Sequence, residues 1–243
     1  MPRAHRYFTQ GRIFHITHRC HNRCFLMKFA KDRDLYREML RERLDHFGIP
    51  LLGYCLTSNH VHLLMRSPDR EPVALLMQSL AGDFAQKYNI RKKRSGAYWG
   101  DRYHATLVEG DAYLWRCLKY VDLNMVRAGV VRHPEVWVWC GYREVMGKRQ
   151  RYRLIDQDVL LQSLGDGITM EAFRANYAHS VEESIRAGEL QREAMWTESM
   201  AVGGRSYVEE IESTLKNRRR VETVETETGS GIWMVREEQP LYA

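Results

Sequence analysis

No stretch approaches the run of about 18 apolar residues that a membrane-spanning helix needs, and the first ten residues carry charges and a proline but no apolar export core. The expected address is therefore the cytoplasm, with no membrane partner. Cysteine is scarce and odd in number. Five residues (Cys20, Cys24, Cys55, Cys117, Cys140) stand at irregular spacing, which argues against a disulfide framework and for reduced thiols. Bulk disorder is excluded by 44% apolar and 11% aromatic residues. The 243 residues suffice for one domain with a sizeable extension, or for two small ones.

Charge is present in excess of one sign and is unevenly spread. The net is +6, and because residues 221–243 hold five acids and one base, the first 220 residues carry 36 bases against 26 acids. Basic clusters stand at Arg91, Lys92, Lys93 and Arg94, at Lys148 to Arg153, and at Lys216 with Arg218, Arg219 and Arg220. One such cluster reads as a solvated face, but three favour a polyanion such as nucleic acid over a small neutral ligand.

Residues Arg12 to His18 alternate in the manner of a strand. Lys31 to Phe47 places Leu35, Met39, Leu40, Leu44 and Phe47 at helical spacing and ends at Gly48 with Pro50 beyond. Leu51–Leu56 and His60–Arg66 are short apolar runs separated by Thr57, Ser58 and Asn59, the pattern of a β-hairpin. A second helix is expected from Pro72 to about Tyr88, a strand over Tyr103–Val108, and a third helix from an Asp111 N-cap to about Ala128, closed by Gly129. The order β-α-β-β-α-β-α is a ferredoxin-like α+β plan: an antiparallel sheet with helices on one face and the other open to a ligand. Residues 1–150 form this domain in our reading. Residues 151–220 form a mainly helical extension, and residues 221–243 an acidic, mobile tail in which Ile232 to Val235 could dock.

Side chains alternate along a strand, so His60 and His62 leave one face of the sheet while Val61 and Leu63 leave the other. Imidazole pairs suit Zn²⁺, Mn²⁺ and similar ions, but one strand supplies only two ligands, and sheet-surface or hydrogen-bonded histidines fit the same pattern. On the third helix Leu114, Leu118, Val121 and Met125 share an apolar stripe, while Tyr113, Arg116, Tyr120, Asn124 and Arg127 gather on another face. Tyr120 and Asn124, at i and i+4, are neighbours, so Asn124 can offer a carbonyl oxygen to a metal while Tyr120 reaches a group bound to it. An ordinary solvated helix face reads the same way. His18, Cys20, His21 and Cys24 lack a second pair at zinc-finger distance, and neither Cys117 nor Cys140 has a sequence partner to lower its pKa.

Three motifs decide between these readings. Tyr54 to Leu64 (YCLTSNHVHLL), Tyr98 to Tyr103 (YWGDRY) and Lys119 to Val131 (KYVDLNMVRAGVV) resemble the single-tyrosine HUH transposases, in particular their REP-associated branch, over roughly residues 5 to 147. The resemblance implies an HUH nuclease fold with His60 and His62 as the metal-binding histidines, Asn124 as the third, amide-type ligand and Tyr120 as the nucleophile. It further implies Mg²⁺ or Mn²⁺ as cofactor, and as substrate single-stranded DNA carrying a REP-like hairpin, handled by a monomer or homodimer. The chain departs from the usual pattern at Thr57-Ser58 and at Met125, where many relatives have proline. Arg91, Lys92, Lys93, Arg94, Arg116 and Arg127 are the expected nucleic-acid contacts, with Arg116 or Arg127 able to assist at the phosphate.

Tyrosine suits strand transfer for a physical reason. Only about one phenol in a thousand is ionised at pH 7, so a cation must help. Once formed, the tyrosyl ester has a better leaving group than an alkoxide, and another 3′-hydroxyl can reverse it without ATP. A regulator that binds hairpins on the same fold without cutting is the alternative. An RNA binder is disfavoured by the absence of an aromatic RNP signature.

Overall fold

The computed structural model describes residues 10–69, 72–149, 151–217 and 219–238. The first half follows the expected order: β1 (Ile13–Arg19), α1 (Ala30–Phe47), β2 (Leu51–Leu56), β3 (His60–Arg66), α2 (Pro72–Lys92), β4 (His104–Val108) and α3 (Asp111–Asp122). Gly48 ends α1 at φ 59°, a left-handed conformation that costs glycine nothing, and its N–H caps the Leu44 carbonyl. Antiparallel pairing of β1 with both β3 and β4, and of β2 with β3, gives the ferredoxin-like order β2-β3-β1-β4.

Helices cover both faces of this sheet. On one, Tyr36 of α1 and Phe84 of α2 meet edge to face, and Trp99 packs against both while stacking on His18. On the other, α3 packs across β2, approaching so closely that a Cβ on Gly53 would lie 2.5 Å from Leu118. The tyrosine helix thereby reaches the surface that carries the even-numbered residues of β3.

Three sequence expectations change. Gly110, not Asp111, is the N-cap of α3, and Asp111 is its first residue at φ 53°. The helix is not continuous to Ala128. It is interrupted at Leu123, whose ψ of 1° separates α3 from α4 (Asn124–Arg127). The tail also differs, for residues 219–238 are not a loose segment. After α5 (Tyr142–Val145), α6 (Gln157–Ser163), α7 (Met170–Ala187) and α8 (Met195–Glu198) come β5 (Ala201–Gly203), α9 (Arg205–Lys216), β6 (Val221–Glu225) and β7 (Trp233–Glu237). β5 joins β4 in parallel, and the β6/β7 hairpin completes a seven-stranded sheet in the order β2-β3-β1-β4-β5-β7-β6. Val221 and Val235 are buried there, and backbone pairing with β5 supplies the order that a Glu/Thr/Gly/Ser composition hides. Arg218, within the last basic cluster, lies outside the described residues.

The extension is stitched to the sheet by a buried carboxylate. Glu144 accepts hydrogen bonds from Tyr54 Oη (2.7 Å) and from the N–H groups of Leu154 (2.7 Å) and Ile155 (3.1 Å). Glu144→Ala leaves three buried donors without a partner, so unfolding in urea is expected to show a loss of about 2–4 kcal/mol. A loss below about 1 kcal/mol would contradict this role.

Candidate active site

In the β1/β3 ladder Thr17 stands opposite His62 and Arg19 opposite His60, so His15, Thr17 and Arg19 share the face of the two β3 histidines. His15 and His62 are almost fully buried, at 0% and 1% exposed. Their ring planes lie within 11° of one another, with centroids 5.1 Å apart. His15 Nδ1 lies 2.8 Å from the Trp196 carbonyl, and His15 Nε2 lies 2.9 Å from His62 Nδ1. His60 sits 4.8 Å from His62 between ring centroids. Its Nδ1 is 2.7 Å from Asn59 Oδ1 and 2.9 Å from Thr57 Oγ1. Thr57, one of the two departures from the family pattern, also donates to the His60 carbonyl (2.8 Å) and accepts from the N–H groups of Asn59 and His60, so it builds the turn that aims the first histidine.

The end of α3 and the start of α4 bring two further groups. Asn124 Nδ2 is 3.0 Å from His62 Nε2. Tyr120, 4% exposed, presents its ring edge to both His62 (6.1 Å) and His15 (6.2 Å). The structure thus gathers His60, His62, Tyr120 and Asn124 into one site and adds His15.

Burial sets the electrostatics. It lowers His15 to about 4, against the pull of the Trp196 carbonyl, lowers His60 to about 3 and drives His62 well below its ordinary value, with neighbouring positive or protonatable groups adding to all three. All three rings are neutral at pH 7, which keeps lone pairs free for a cation. The Tyr120 phenol is raised by burial, with Arg127 and Arg192 pulling against that.

The expected nucleic-acid contacts fare differently. Arg127 stacks over the Tyr120 ring at 4.2 Å and donates to the carbonyls of Tyr120 (3.1 Å) and Gln191 (3.2 Å), so it clamps the tyrosine helix to the extension. Arg116 pairs with Glu193 at 2.9 Å. Arg91 pairs with buried Asp32 of α1, Lys92 lies over Phe29 and Tyr88, and Arg94 donates to Asn89, Gly96 and Ala97. With Lys93, at φ 49°, they form the end of α2 and the turn after it, on the side of the sheet away from Tyr120, so the structure does not join them to the histidines. A different cationic group does adjoin the site. A pocket of about 390 Å³ is lined by Arg19, Arg23, Arg102 and Arg192, and its acids are Asp101 and Glu198, the latter paired with Arg192. Burial lowers the Arg19 guanidinium, as do Arg23 and Arg192, whereas Tyr120 raises it. Sequence reasoning missed Arg19 and His15, although their odd-numbered alternation in β1 was the available signal.

Residues 9–124 match the family model described as Transposase IS200 like. That segment, from β1 to the start of α4, is similar to the IS200-like transposases. Among solved structures, a REP-associated tyrosine transposase bound to a REP hairpin is similar at a TM-score of 0.51 and 14% identity, over 61% of this chain and 87% of that one. This likeness supports the fold. A candidate transposase from Deinococcus radiodurans gives a TM-score of 0.33 at 18% identity, over 43% of this chain and 84% of that one. No curated protein matches the sequence. No helix among the described residues is long and apolar enough to cross a membrane.

The histidines predict a pH dependence of folding stability. A ring that ionises at about 4 when folded and near 6.5 when unfolded binds fewer protons in the folded state, so its stabilisation is complete above pH 6.5 and is lost as pH falls. Each histidine contributes up to about 1.4 kcal/mol per pH unit in that window. Asp122, raised to about 7 by burial, works in the opposite direction between about pH 4 and pH 7. Three rings outweigh one carboxyl. Urea unfolding at pH 7, 6 and 5 should therefore show falling stability, with a shallower fall in His62→Gln, and a flat wild-type curve would refute the neutral-ring description.

Proposed function

We propose that this chain cleaves and rejoins single-stranded DNA beside a hairpin through a 5′-phosphotyrosine at Tyr120, using Mg²⁺ or Mn²⁺ held by His60, His62 and Asn124. The supporting observation is convergence: a phenol from α3 and an amide from the start of α4 meet the second of two strand histidines, with His62 Nε2 3.0 Å from the Asn124 side chain. The family match covers β1 through Asn124, the segment that carries all four residues. The similar REP-associated transposase, solved with a REP hairpin, supports the same class of substrate.

The donor chemistry fits a divalent ion. With each Nδ1 hydrogen-bonded, both β3 histidines have Nε2 available, the usual ligating arrangement with the other nitrogen engaged. Among the described residues no group of three or more His, Cys, Asp or Glu could hold a metal, and the polar side chain that stands against His62 is the Asn124 amide, to which we assign the third place. Turning the Asn124 amide by half a turn offers its oxygen in place of the nitrogen. When bound, the ion would draw charge from the scissile phosphate and favour the alkoxide leaving group.

The protein's own groups do the rest. Tyr120 supplies the nucleophilic oxygen: a P–O bond to the phenol forms, the bond to the 3′-oxygen breaks, and the proton lost by the phenol is balanced by one gained at the 3′-hydroxyl. The Arg127 guanidinium over the ring favours the phenolate. Arg19, Arg23, Arg102 and Arg192 offer phosphate contacts to the strand beside Tyr120. Tyr120 adjoins the histidines of its own chain, which supports cleavage within one protomer.

Wild-type protein mixed with hairpin-bearing single-stranded DNA and Mn²⁺ should form an adduct stable to SDS, and Tyr120→Phe should form none while still binding. Tight binding with no adduct, in either metal and across a panel of hairpins, would instead support the non-cutting regulator. Arg19→Ala should weaken DNA binding and reduce the salt-dependence slope by about 0.7, as expected for one lost phosphate contact on a single strand. An unchanged slope would remove Arg19 from the strand path.

A further inference from the structure

We propose that His15 is a positioning residue that fixes the tautomer of His62, keeping the nitrogen that faces Asn124 bare. The argument is a count of hydrogens. A carbonyl oxygen only accepts, so the 2.8 Å contact with Trp196 requires a hydrogen on His15 Nδ1. The ring is fully buried and no carboxylate pairs with it among the described residues, so it is neutral and its Nε2 carries no hydrogen. That bare nitrogen lies 2.9 Å from His62 Nδ1, which must then be the donor. His62 is buried and neutral in turn, so its one hydrogen is placed and its Nε2 is left as a lone pair 3.0 Å from the Asn124 amide.

The two β3 histidines therefore have different supports. His60 is set by its own turn, through Asn59 and Thr57. His62 is set from a distance, by a β1 residue that takes its own orientation from a carbonyl in α8. The same carbonyl accepts from Thr106 of β4 (3.2 Å), whose hydroxyl also reaches the Ser199 carbonyl (2.8 Å), so α8 is held in register with the sheet. The consequence for metal binding rests on the function proposed above, whereas the tautomer assignment does not.

The test uses the full chain without metal. Long-range proton–nitrogen NMR of the imidazoles at pH 7.5 should find His62 as the Nδ1–H tautomer. His15→Phe, which keeps a ring but offers no acceptor, should shift His62 toward the Nε2–H form. His15→Gln, whose side-chain oxygen can reach the place of the lost Nε2, should restore the wild-type tautomer. Titration with Mn²⁺, followed by its EPR signal, should show binding weakened about 10- to 100-fold in His15→Phe and largely recovered in His15→Gln. An Nε2–H tautomer in the wild type would overturn the proposal, as would a folded His15→Phe with unchanged His62 signals. Should His15→Phe fail to fold, the wild-type tautomer and the His15→Gln spectrum decide the matter. The expected tautomers without Mn²⁺ binding by the wild type would support the role of His15 and count against the metal reading alone.

Discussion

Three imidazoles on one sheet face are tolerable in an interior only if each ring nitrogen has somewhere to go, and this requirement organises the second half of the chain. A neutral imidazole has one hydrogen to give and one lone pair to fill, and leaving either unmatched in a buried site costs about as much as a lost hydrogen bond. The fold answers with a carbonyl from α8 for His15, an asparagine and a threonine from the β2/β3 turn for His60, and the start of α4 for His62. The helix carrying Tyr120 is thus laid against the sheet by apolar packing at Gly53 and Leu118 and tied at its end by a polar contact. The extension closes the same surface, which accounts for its attachment to β1 and β4 as well as to its own elements.

What could be read from the sequence divides along the range of the interactions involved. The β2/β3 hairpin, α1 with its Gly48 exit and the shared face of His60 and His62 are local, because turn chemistry and alternation specify them within a few residues. The grouping of Tyr120 with Asn124 is equally local. Bringing that pair to the histidines needed either the family resemblance or the structure, since spacing within a helix does not say which strand it crosses. His15 escaped attention because its importance depends on pairing with a strand nearly fifty residues on, and on a carbonyl later still. The β6/β7 hairpin escaped for a related reason: Val221–Glu225 is a weak strand by composition, and pairing through β7 with the short β5 gives it order.

The basic residues carry a further lesson about charge. A run such as Arg91 to Arg94 is conspicuous in a sequence, yet here Arg91 balances a buried aspartate and Arg94 ties down its own turn. Arg19, Arg23 and Arg102, scattered along the chain, come together with Arg192 at the mouth of the site. Contiguity in sequence measures local charge density, whereas a binding field depends on where the fold brings cations together.

The carbonyl that orients His15 belongs to residue 196, late in the chain. A ribosome releases β1 and β3 long before α8, so the histidine cluster emerges with one of its hydrogens still unassigned. In a nascent or prematurely ended polypeptide the second histidine is free to present either nitrogen. This makes synthesis through α8 a condition for a correctly poised centre, and fragments that stop short of α8 lack the group that sets it.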